Sequence, residues 1–85
     1  MSQEVVEGLY AINAVAAQFG VEPATLVRYE RAGLLQPRVI NNVRFYSATD
    51  IERLEMIRHM TDTLGMNLSG VDVVLRLLDE IKQLL

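Results

Sequence analysis

The sequence of 85 residues predicts a small, mainly α fold with a single β-hairpin. Three observations lead there. Apolar residues recur at intervals of three and four in four segments, the spacing of one helix face. Gly20, Gly33 and Gly65 fall at the ends of those segments, where a helix needs a stop. One stretch only, "LLQPRVINNVRFYS", breaks the helical spacing and carries the residue types that strands and tight turns accept.

The elements follow in chain order. "YAINAVAAQF" sets Ile12, Val15, Ala16 and Phe19 on one side of a short helix, which Gly20 ends. Pro23 opens a second helix at a first-turn position, where the missing amide costs nothing. That helix runs to about Ala32 and stops at Gly33, and the short "GVE" joint gives the pair the spacing of a helix-turn-helix. Pro37 blocks further helix. Val39, Val43 and Phe45 suit strands, and Asn41-Asn42 can take the positive φ of a tight turn, so a hairpin is expected. Ser47-x-x-Asp50 reads as a capping box, with Asp in place of the usual Glu. The helix behind it places Ile51, Leu54, Ile57 and Leu64 on one side and ends at Gly65. "Ser69-Gly-Val-Asp72" reads as a second start of the same kind. The last helix then carries Val71, Val74, Leu78, Ile81 and Leu85, a stripe widened by Leu75, Leu77 and Leu84.

Composition narrows the function classes. Hydrophobic residues make up 51% and charged residues 22%, which suits one thin globular core. Cysteine is absent, which removes disulfides, thiolate metal sites and a cysteine nucleophile. Glu4 and Glu7 stand where a signal peptide would be basic, and no apolar run nears the roughly 20 residues of a membrane span. We expect a cytoplasmic protein with no membrane partner. Net charge is −3 and unevenly placed. Residues 1–47 hold four arginines against four glutamates, whereas residues 48–85 hold four cations against seven acids. DNA affinity would therefore have to come from a local patch on the neutral half.

Candidate sites are few. Ala24, Val27, Arg28 and Arg31 form one outward stripe of the second helix, with Leu26 and Tyr29 turned to the core. Such a stripe can read DNA, since arginine pairs bidentately with guanine or phosphate and an apolar side chain can meet a thymine methyl. It can equally be a solvated face, with Arg31 paired to Glu30, or a surface for a protein partner. Arg44 and Tyr46 share one face of the hairpin, as a phosphate clamp would require. His59 is the only histidine and has no companion ligand, so no metal or cofactor is expected. Asp50, Glu52 and Glu55 sit in the first turns of a helix, where acids favour the positive dipole end, and no catalytic set is visible. Apolar residues on more than one face of the last helix point to an interface.

"GVEPATLVRYERAGLLQPR" followed by "RFYSATDIERL" resembles the MerR superfamily of winged-helix regulators. Gly20-Val21, Thr25-Leu26, Tyr29-Glu30, Gly33-Leu34-Leu35, Pro37-Arg38 and Arg44-x-Tyr46 ahead of Asp50-Ile51 carry the resemblance, which covers roughly residues 9–85. "LGMNLSGVDVVLRLLDEI" is similar to the branch that holds heat-shock repressors and the chaperone modulators that bind a DnaJ-like co-chaperone. The resemblance implies a winged helix-turn-helix over residues 9–85: a helix-turn-helix, a small hairpin wing and two further helices, behind a tail at residues 1–8. It implies a DNA-binding transcriptional regulator, or alternatively a modulator that keeps the fold and docks on the co-chaperone. Thr25 would be a helix-start contact to double-stranded DNA, and Arg38, Arg44 and Tyr46 would serve the wing and its flank. With Arg28 and Arg31 these are the expected DNA residues, with Ala24 and Val27 facing DNA or a partner. Residues 69–85 would form a homodimer through Val71, Val74, Leu75, Leu78, Ile81 and Leu85. Three features depart from the pattern: Val27 stands where an arginine is usual, "VINNV" lacks a glycine-rich wing tip, and the total charge is acidic.

Overall fold

A computed structural model describes residues 8–85; of the expected tail, all but Gly8 lies outside the described residues. The order of elements is β1 (Leu9–Ala11), α1 (Ile12–Phe19), α2 (Pro23–Arg31), β2 (Arg38–Ile40), β3 (Val43–Ser47), α3 (Ala48–Arg58), a π-helical turn (His59–Thr63) and α4 (Leu68–Leu84). Helices pack around a core of Val15, Leu26, Tyr29, Leu34, Tyr46, Leu54, Ile57, Val71 and Leu75. The mainly helical, winged arrangement is the one the sequence predicts.

The helix-turn-helix forms for the reasons legible in its punctuation. Gly20 takes φ 67°, a left-handed conformation that a side chain resists. This lets the Val21 amide donate to the Ala16 carbonyl at 3.0 Å, satisfying an orphan carbonyl at the end of α1. Pro23 starts α2 from an extended Glu22. At the far end Gly33 turns the chain, and the Leu34 amide donates to the Tyr29 carbonyl at 2.9 Å.

The sheet has one strand more than expected. β1 pairs antiparallel with β3, Tyr10 opposite Tyr46, so the order is β1-β3-β2. Tyr10 and Ala11, expected to begin the first helix, are strand, and Ala11 is the cap residue of α1. Between β2 and β3, Asn41 and Asn42 have φ 52° and 65°, the conformation a two-residue hairpin turn needs.

Ser47 and Asp50 make the reciprocal capping box expected of them. Asp50 is buried but fully used, since its second oxygen accepts from the Gln36 amide at 3.2 Å. The end of α3 differs from expectation. In the π turn the Leu64 amide donates to the His59 carbonyl, five residues back, at 3.2 Å. One extra residue in a turn rotates everything after it by about 100°. Leu64, expected on the core side, is thereby 58% exposed, while Met60, three residues after buried Ile57, is buried.

Helix α4 is capped by Asn67, whose side chain accepts from the Gly70 amide at 2.9 Å; Ser69, the expected start, lies inside the helix. Two residues expected at a dimer interface, Val71 and Leu75, are instead fully buried in this chain's own core. Val74 and Leu78 pack partly against that core, while Ile81 and Leu85 are exposed. Arg53 ties the helices together: its Nε donates to the Leu34 carbonyl at 3.0 Å and its Nη1 pairs with Asp79 of α4 at 3.1 Å.

Candidate nucleic-acid interface

Helix α2 is anchored by one face and free on the other. Leu26 and Tyr29 are buried, and the Tyr29 hydroxyl accepts from Arg58 Nη1 at 3.1 Å. Ala24, Arg28 and Arg31 are exposed, Thr25 and Val27 half-buried. The stripe expected from the helical period is therefore the solvent-facing one. Arg28 lies 5.9 Å from the Tyr29 ring centroid, at the outer reach of a cation–π contact.

Glu30 does not take the partner that one form of a solvated stripe would give it. A solvated stripe would pair it with Arg31; instead it turns inward to the sheet. Its Oε1 lies 3.2 Å from Arg44 Nη1, and its Oε2 accepts from the Tyr46 hydroxyl. Arg28, Arg31 and Arg38 have no ion-pair partner among the described residues. In the second half, Arg53, Arg58 and Arg76 are each paired with an aspartate. Among the described residues, unpaired arginine is thus confined to α2 and the wing, with Lys82 of α4 the other unpaired cation, although the whole chain is acidic.

Two wing expectations change. Tyr46 is 1% exposed, its ring in the core and its hydroxyl committed to Glu30. Burial, then the hydrogen bond to Glu30, hold that phenol far above its ordinary range, so it remains a protonated donor. It has no free hydroxyl for a phosphate. The strand register separates the two arginines as well. Arg44 lies opposite Val39 and Arg38 opposite Phe45, so their side chains leave opposite faces of the sheet. The structure joins Arg44 to α2 through Glu30 and leaves Arg38 on the other side, beside a polar cleft with Gly33, Asp50 and Arg53.

A second surface lies between α3, the π turn and α4. It is an open, mainly apolar groove of about 780 Å³. Met56, Met60 and Met66 line it with Leu64, Val74 and Leu78, and Glu52, Glu55, His59 and Lys82 stand around it. On the outer side of α4, Val73, Leu77 and Leu84 are more than half exposed, as is Ile81, which also edges the groove. Glu30 and Val73 were not singled out as site residues by sequence reasoning, whereas Ile81 was expected at a dimer interface and Leu77 and Leu84 were read as widening the apolar stripe. The signal for Glu30 was its place as the lone acid among the arginines of α2.

Residues 10–78 match the family described as MerR HTH family regulatory protein. The chain belongs to that family. Among similar proteins, one of Streptomyces coelicolor carrying the heat-shock name HspR is 35% identical over 77 residues, 89% of this chain and 51% of that protein. The HTH-type transcriptional regulator AdhR of Bacillus subtilis is 39% identical over 62 residues, 71% of this chain and 44% of its own. The B. subtilis HTH-type regulator YyaN is 35% identical over 66 residues, 75% of this chain and 47% of its own. The chain thus spans about half the length of the curated relatives it matches. Membership accounts for the helix-turn-helix and wing described above, and the HspR match fits the heat-shock branch of the MerR superfamily. Among the described residues no helix is long and apolar enough to cross a membrane.

Proposed function

We propose that the chain is a DNA-binding transcriptional regulator acting as a homodimer, with stress or chaperone genes as its targets. The observation that carries this reading is the outer face of α2. Arg28 and Arg31 stand exposed and, among the described residues, without ion-pair partners, on a helix whose opposite side is locked into the core. Membership of a helix-turn-helix regulatory family and similarity to proteins named as transcriptional regulators support it.

In this reading α2 enters the major groove. Thr25 and Ala24 lie at its leading end, Val27 meets a thymine methyl or nothing, and Arg28 reaches a base edge or phosphate. Arg31 and Arg44 take phosphates, which fix register without carrying sequence. Arg38 and Tyr46 are left out, the first on the far face of the sheet and the second buried. Such a role places the protein in the cytoplasm. The test is a titration of a labelled duplex pool with wild type and Arg28→Ala. Loss of one bidentate base contact should cost about 1–3 kcal/mol and relax preference at one position.

For the dimer we assign the outer stripe of α4. Val73, Leu77, Ile81 and Leu84 follow one another at spacings of four, four and three, and all are exposed. Two-fold pairing through that stripe would set two α2 helices against two half-sites. Replacing Leu77 and Leu84 together with Glu should leave the circular dichroism spectrum intact and yield a monomer by sedimentation. A wild-type chain that is monomeric at high micromolar concentration would refute the assignment.

A second reading has its own observation. The methionine-rich groove, with Glu52 and Glu55 beside it, suits an apolar and cationic protein segment, since methionine adapts to varied partners. It supports a modulator that docks on a DnaJ-like co-chaperone in place of DNA.

A further inference from the structure

Helix α2 offers its arginines to solvent and turns one acid the other way. The Glu30 side chain is only 9% exposed and holds two donors from one strand: Arg44 Nη1 at 3.2 Å and the hydroxyl of Tyr46, two residues further along β3 on the same sheet face. Tyr46 is itself fixed, its ring buried in the core. The Arg44 side chain remains 44% exposed. A guanidinium has five N–H donors in a rigid fork, so one arm can be held by Glu30 while the rest remain available.

We propose that Glu30 is a positioning residue for DNA binding. It fastens the Arg44 guanidinium to the flank of α2, so that helix and wing meet the duplex as one preorganised surface. The proposal rests on the DNA-binding reading above. The competing role is a brake, in which the carboxylate withholds Arg44 from phosphate. A brake would require Arg44 to leave on binding, stranding a nine-tenths-buried carboxylate with one donor only. Positioning breaks nothing. The arginine keeps its buttress and adds a phosphate, and its rotamers are already restricted before the encounter.

The two roles predict opposite signs. Glu30→Gln keeps the volume and an acceptor for Tyr46 but removes one negative charge from the binding face. General electrostatics, or release of a brake, would make the variant bind DNA more tightly. Positioning makes it bind more weakly. The experiment is a double-mutant cycle of wild type, Glu30→Gln, Arg44→Ala and the pair, titrated on one duplex, with thermal melts confirming the fold. In wild type, Arg44→Ala should weaken binding about tenfold, as expected for one charge-assisted contact. On the Glu30→Gln background it should weaken binding no more than about twofold, because the arginine has already lost its hold. Should Glu30→Gln fail to fold, Tyr46→Phe removes the other donor from the same carboxylate and should reduce the Arg44 contribution in the same direction. Equal or tighter binding by Glu30→Gln, with the full tenfold cost of Arg44→Ala retained, overturns the positioning role alone. A wild type that binds no duplex overturns this role and the DNA-binding reading together.

Discussion

Leu26→Ala should leave the chain close to unfolding at ordinary temperature. Leu26 lies at the centre of the inner face of α2 and has no exposed surface. Truncating a fully buried leucine costs about 2–5 kcal/mol, the spread reflecting how far the site can collapse. At about 0.05–0.15 kcal/mol per residue, a chain of 85 residues has roughly 4–13 kcal/mol in total. The upper end of the cost exceeds the lower end of the stability. Thermal unfolding followed by circular dichroism measures it, with Val27→Ala as the companion. That neighbour is half-buried on the outer side, and its truncation should move the melt little. Equal shifts for the two would mean that α2 does not sit as described.

The double substitution Arg28→Ala with Arg31→Ala should abolish selective duplex binding and leave the melt unchanged. Both side chains are exposed and form no ion pair among the described residues, so the fold loses nothing specific. Arg28 at a base edge is worth about 1–3 kcal/mol, and Arg31 on a phosphate adds a charge-assisted contact of about 1.5–3 kcal/mol. The two lie one turn apart and share a target, so their effects need not add. A loss on the order of a hundredfold is expected. Arg76→Ala is the control. It removes one positive charge, against two in the double variant, from α4, where Arg76 pairs with Asp72 at 3.1 Å, and should leave duplex affinity nearly unchanged. If Arg76→Ala lost half as much in log affinity as the double variant, net charge and not the α2 face would be the cause.

Much of this face was legible before the structure because its signals are local. Helix α2 is short, framed by Pro23 and Gly33, and its outward stripe follows from the helical period alone. The same holds for the Asn41-Asn42 turn and the Ser47 cap, each settled by residues within a few positions of one another. What stayed hidden depends on distant partners. Strand β1 has three residues, too few to display alternation, and exists only because β3 lies beside it. The π turn adds one residue that no spacing rule announces, and it turns Leu64 outward. Glu30 is directed inward by Arg44 and Tyr46, fourteen and sixteen residues ahead. Helix α4 is apolar over more than one face, and its sequence does not say which face the core claims. The core takes Val71 and Leu75, leaving Val73, Leu77, Ile81 and Leu84 outside.

The central claim is that the outward face of α2 is a DNA reader, and a salt-series titration of one labelled duplex pool tests it most directly. Log affinity should fall linearly with log salt, by about 0.9 for each phosphate neutralised. Arg31 and Arg44 in each of two subunits would give a slope of about 3.6, shallower than for strongly basic regulators. Val27→Arg should tighten binding, because it places a third arginine on the stripe. A wild type that binds no duplex at low salt, with a Val27→Arg variant that gains none, would contradict the claim and leave the protein-partner reading in its place.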